Sequence, residues 1–80
     1  MNKMKYTKYQ DLHYHVSAVQ RDNARWDAFY EILQPCDTGL KKVRTYQVQT
    51  AYGFESRHTA LDDAERNARA DIEEGIVRFH

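Results

Sequence analysis

The stretch from Phe54 to Gly75 reads as one short amphipathic helix with punctuation at both ends, and it constrains what the rest of the chain can become. Thr59 opens a Thr-x-x-Asp pattern ending at Asp62, a weaker form of the capping box. Leu61, Ala64, Ala68 and Ile72 follow at steps of three and four, so they share one face. Gly75 offers the left-handed residue at which a helix stops. A single apolar stripe has to be buried against another layer. Everything before Phe54 is strand-like, so that layer is a sheet.

From Tyr9 to Val19 the chain alternates, with Leu12, Tyr14, Val16 and Ala18 on one side and His13, His15, Ser17 and Val19 on the other. Arg21-Asp22-Asn23 is turn chemistry, and Asn23 is the residue that tolerates positive φ there. Arg25 to Leu33 alternates again, with Trp26, Ala28, Tyr30 and Ile32 against Asp27, Phe29, Glu31 and Leu33. Two such runs joined by a polar turn make a hairpin. Pro35 cannot donate to a ladder and Asp37-Thr38-Gly39 favours a turn, so 35–42 reads as a connection. The β-rich run Val43 to Tyr52 is the third strand, Gly53 ends it, and Phe54 plugs the core.

These readings predict an α+β fold: a three-stranded antiparallel meander with one C-terminal helix packed on one face (βββα). The domain spans 9–75, after a flexible N-terminal segment 1–8 and before a C-terminal tail 76–80. That tail is apolar enough to fold back, with Ile76 placed for a Schellman contact. Leu12, Tyr14, Val16, Trp26, Tyr30 and Ile32 should meet Leu61, Ala64, Ala68 and Ile72, and Trp26→Ala should be among the most damaging changes.

Eighty residues make one small domain, which buries only roughly two-thirds of its unfolded surface. Twelve basic and twelve acidic residues cancel, which argues against a generic polyanion binder and leaves little repulsion against self-association. The charge is uneven: nine Lys/Arg against six acids over 1–57, and three against six over 58–80. Cys36 is the only cysteine, which excludes an internal disulfide and fits a reducing compartment. No apolar run approaches bilayer length, and no apolar stretch follows Lys3 and Lys5. A cytoplasmic protein with no membrane contact is the expectation.

Candidate chemistry is sparse. His13 and His15 stand two apart on a strand and project from the same side, a spacing that can supply two metal ligands. A structural zinc site needs four, so no metal or cofactor is assigned. Cys36 lacks a local base pattern, so no catalytic residue is assigned and an enzyme is not expected. Asp62, Asp63 and Glu65 read as partners of the helix dipole, and Asp62–Arg66 and Glu65–Arg69 as i,i+4 pairs. Glu73 and Glu74 run against the dipole rule.

The helix covers one side of the sheet and leaves the other open. His13, His15, Val19, Phe29 and Leu33 point to that open side, with Thr45 and Gln47 from the third strand. The candidate interaction face is therefore His13, His15, Val19, Phe29, Leu33, Lys41, Lys42 and Arg44. It suits a homodimer or protein partner, a stacking platform for single-stranded nucleic acid assisted by Lys41, Lys42 and Arg44, or cover by the tail. The first is favoured. Nucleic acid is not, because the chain lacks a ribonucleoprotein signature and a pI above about 9.

Tyr9, Leu12, Tyr14 and Val16, then Arg25-Trp26-Asp27-Ala28, then Phe54 with Ala64, Ala68 and Ile72, give the chain a likeness. Over Tyr9–Ile72 it resembles a group of small bacterial strand-strand-strand-helix domains of unknown function, which implies the fold and carries no activity. The order also looks like the second part of a double-stranded-RNA-binding domain. Where that domain opens its last helix with a lysine cluster, this chain has Thr59-Ala60-Leu61-Asp62-Asp63, whose acids repel phosphate.

Overall fold

A computed structural model describes residues 6–75. The expectations for the tail at 76–80 lie outside the described residues. The elements are β1 (Thr7–Tyr9), β2 (Leu12–Gln20), β3 (Trp26–Cys36), β4 (Gly39–Gln47) and α1 (Arg57–Glu73). The strands form one antiparallel sheet in the order β1-β2-β3-β4, and α1 packs across β2 and β3. The architecture is α+β, with four strands instead of three.

The added strand is β1, which takes in Thr7 and Lys8 of the segment read as flexible. Three residues are too few to display a period. It pairs with β2 through a two-residue turn, Gln10-Asp11, between the partners Tyr9 and Leu12. Gln10 has φ 54°, at the position a type II′ turn gives to glycine.

The 35–42 connection is also corrected, because β3 runs on through Pro35 and Cys36 and turns at Asp37-Thr38 into β4. The last β2–β3 pair is His13↔Leu33, so Pro35 lies past the end of β2 and pairs only with Leu40. A proline is tolerated where no second ladder needs its N–H. The register of β3 with β4 then slips from Ile32↔Arg44 to Leu33↔Lys42, which makes Val43 an extra, bulged residue. Val43 packs against the core. β4 stops at Gln47, short of Tyr52, which is exposed.

Two turns differ from expectation in detail. In the β2–β3 turn the positive φ falls on Ala24 (67°), while Asn23 accepts the Arg25 N–H at 3.0 Å through its side chain. Before the helix, Phe54 and Trp26 exchange backbone hydrogen bonds of 2.8 and 2.9 Å. That pairing brings Gly53 (φ 81°) so close that a Cβ there would lie 2.9 Å from the Arg25 Cβ and 3.0 Å from the Trp26 carbonyl oxygen. Only glycine fits both the angle and the space.

The helix starts earlier than Thr59. Ser56 is the N-cap, and its hydroxyl accepts the Thr59 N–H at 3.1 Å. Its first turn therefore holds no acid, and Asp62, Asp63 and Glu65 lie beyond reach of the N-terminal dipole. The buried stripe is Ala60, Ala64, Ala68 and Ile72; Leu61 stands beside it, half-buried. Gly75 (φ 67°) closes the helix, donating its N–H to the Ile72 carbonyl at 3.2 Å.

Between helix and sheet lie Leu12, Tyr14, Ala28, Tyr30, Ile32 and Val48, with Tyr9, Val16, Ala18, Trp26, Tyr46 and Phe54 packed around them. Tyr14 and Ile32 are the largest fully buried side chains, whereas Trp26 is half-buried at the margin. Each large buried apolar side chain contributes about 1.5–3 kcal/mol before entropy is subtracted. The most damaging truncations accordingly move from Trp26 to Ile32 and Tyr14.

Candidate functional site

Strand alternation assigns each residue of the sheet to the helix side or the open side. On β2 and β3 the open side carries His13, His15, Ser17, Val19, Asp27, Phe29, Glu31 and Leu33, in register across the ladder. β1 adds Lys8 opposite His13, and the Tyr6 ring meets the His15 ring edge-on at 5.9 Å. β4 adds Lys42, Thr45 and Gln47. Six of the eight candidate residues thus share one face: His13, His15, Val19, Phe29, Leu33 and Lys42.

Lys41 and Arg44 do not. Lys41 pairs with Gln34, and Arg44 with the core residue Ile32, so both belong to the helix side. The bulge at Val43 causes the split, because it shifts the parity of β4 between Lys42 and Arg44. Arg44 lies 6.0 Å from the centre of the Tyr46 ring. Phe29 therefore keeps Lys42 on its own face, while the other two cations expected beside it lie behind the sheet.

The open face is held by ion pairs as well as apolar side chains. Arg21 reaches Asp27 at 2.6 Å, and Lys42 reaches Glu31 at 3.1 Å. The Arg21 hydrogen bond holds the Asp27 carboxyl below the usual carboxylate range. Val19 is exposed, Phe29 is half-buried, and Leu33 is only 4% exposed. The His13 Nδ1 is buried and has no hydrogen-bond partner among the described residues.

The helix side is tied down through tyrosine hydroxyls, whose partners no local sequence pattern reveals. The Tyr9 hydroxyl donates to Glu73, and the Tyr30 hydroxyl to Asp71. Tyr14 donates to Glu65 at 3.0 Å and accepts from the Arg69 Nε at 3.0 Å. Arg69 also lies 5.3 Å from the Tyr9 ring centre. Glu73, which runs against the dipole, is explained by its bond to Tyr9. Burial, reinforced by the Asp71 bond, pushes the Tyr30 phenol well above its ordinary value. A groove of about 500 Å³ on this flank is lined by Asp62, Glu65, Arg66, Arg69, Ala70 and Glu73. Glu65 and Arg69 already bind Tyr14, and Glu73 binds Tyr9. Arg66 pairs with Asp63 at 2.6 Å, not with Asp62, which pairs with His58 at 3.1 Å.

Cys36 is exposed at the β3–β4 turn, and the Thr38 hydroxyl 3.4 Å away draws its thiol below the ordinary value. Among the described residues no group of three or more His, Cys, Asp or Glu side chains is placed to hold a metal ion, and no helix is long and apolar enough to cross a membrane. No family model, curated protein or solved structure matches the chain. The resemblance to small strand-strand-strand-helix domains therefore rests on the core residues alone.

Proposed function

We propose that the chain is a cytoplasmic, non-enzymatic interaction module that self-associates through the open face of its sheet. One observation carries this reading: exposed Val19 and half-buried Phe29 share a face that no helix covers among the described residues. The choice of a second copy as occupant rests on charge. Lysines, histidines and carboxylates lie side by side on that face, and zero net charge removes the repulsion between copies. The available area sets the strength. Three strands about 30 Å long and the short β1, each about 4.8 Å from the next, offer roughly 500 Å² per partner, below the roughly 800 Å² of a standard interface. A weak dimer follows.

Sedimentation equilibrium, with amide shifts recorded up to millimolar protein, tests it. The mass should rise towards a dimer, and the shifts should fall on His13, His15, Val19 and Phe29. Val19→Glu, which puts an unpaired charge into the contact, should abolish both effects. A strict monomer with unmoved shifts at the highest concentration overturns the proposal.

A further inference from the structure

We propose that the free edge of β4 accepts an added strand from an acidic, extended segment of a partner protein. This surface is the rim of the sheet, not its open face, so it stands apart from the self-association above.

The sheet has two edges, and β4 is the longer edge strand, because β1 lies against only Leu12–Tyr14 of β2. β1 has three residues and β4 has nine. The Val48 N–H donates to the Ala28 carbonyl at 2.9 Å. In an antiparallel ladder, hydrogen-bonded pairs alternate with non-bonded ones, so Tyr46 and Arg44 also bond inward to β3. Thr45, between them, turns its backbone N–H and C=O outward. An extended peptide alongside β4 would satisfy these groups, as in strand addition to other open sheets.

The side chains along the edge select the partner. Lys41 and Arg44 project on the helix side and Lys42 on the other, so an added strand would meet a cation on each of its own faces. Lys42 shares Glu31, whereas Lys41 and Arg44 have no carboxylate within ion-pair distance among the described residues. A second copy paired edge to edge about a twofold axis would set these cations against themselves, and like charges directly opposite destabilise a ladder. An acidic strand reverses that sign.

The probe is a blocked peptide of about seven residues, Val-Glu-Glu-Val-Glu-Glu-Val, which carries glutamates on both faces and is enough to span a typical strand. Its control carries Lys in place of Glu. The acidic peptide should shift the amides of 40–47 and slow hydrogen exchange at Thr45. Lys41→Glu combined with Arg44→Glu should weaken binding about tenfold or more. Thr45→Pro removes the outward N–H without touching the β3 ladder and should abolish binding, while Thr45→Val should retain it. Val19→Glu, which breaks only the open-face contact, should leave peptide affinity unchanged. Equal binding of the lysine peptide, unchanged affinity in Thr45→Pro, or no shifts at millimolar acidic peptide would each overturn the proposal.

Discussion

The two faces of this sheet are built from the same strands, residue by alternate residue, yet they are stabilised by different physics. The helix side excludes water with an alanine-rich stripe over Tyr14, Ala28 and Ile32, and it ties the Tyr14 and Tyr30 hydroxyls to carboxylates on α1. The open side has no such roof among the described residues and relies on Arg21–Asp27 and Lys42–Glu31 around Phe29 and Leu33. Cavity and desolvation costs dominate where water is excluded. Solvent screens much of the pairing where it is not. The same class of substitution should therefore read very differently on the two sides.

The sharpest test sets Ile32→Ala against Val19→Ala, each followed by urea unfolding of dilute protein. Ile32 is 0% exposed, and its truncation should cost about 2–5 kcal/mol. Val19 is 56% exposed, and its truncation should cost less than about 0.5 kcal/mol. Similar losses at both sites would mean that the faces are alike.

A smaller effect probes the polar anchor on the covered side. The Tyr30 phenol is raised above its unfolded value of about 10, so its contribution is complete below that pH and is lost as pH climbs past it. Tyr30→Phe should cost about 1–2 kcal/mol at neutral pH and flatten the alkaline limb of the stability curve. An unaltered alkaline limb would show that the hydroxyl contributes nothing through Asp71.

The smallest effect belongs to the open side. The folded Asp27 carboxyl is depressed, so its stabilisation is present above the unfolded value of about 3.9 and is lost as acid protonates it. Asp27→Asn should lower stability slightly at neutral pH, where the ion pair is complete, and flatten the acid limb below about pH 4. Acid titration followed by circular dichroism reads this directly.

Much of the covered face is legible in the sequence, because period-two alternation along Leu12–Val19 and Trp26–Leu33 needs only local pattern to be seen. What escapes the sequence depends on neighbours. Pro35 looks like a breaker until β2 is seen to end before it. Arg44 takes the helix side by alternation with Thr45, and Lys41 joins it there because of a one-residue bulge at Val43 that leaves no mark in composition. Leu61 outranks Ala60 by size alone, yet the close approach of helix to sheet buries the smaller residue. The tyrosine–carboxylate ties join residues 41 to 64 positions apart, beyond any local motif. Strand alternation places the hydrophobic and histidine members on the open side, whereas the side taken by Lys41 and Lys42 depends on the register of β4.

The alanine stripe of α1 has a consequence for how the domain tolerates change. When methyl groups set the gap between a cylinder and a pleated surface, the separation is governed by main chain rather than by compressible side chains. Ala60, Ala64 and Ala68 then act as spacers with no slack, and adding even a few atoms to one of them would lever the helix away along its length. Sensitivity in this small domain is thus concentrated at its least conspicuous residues.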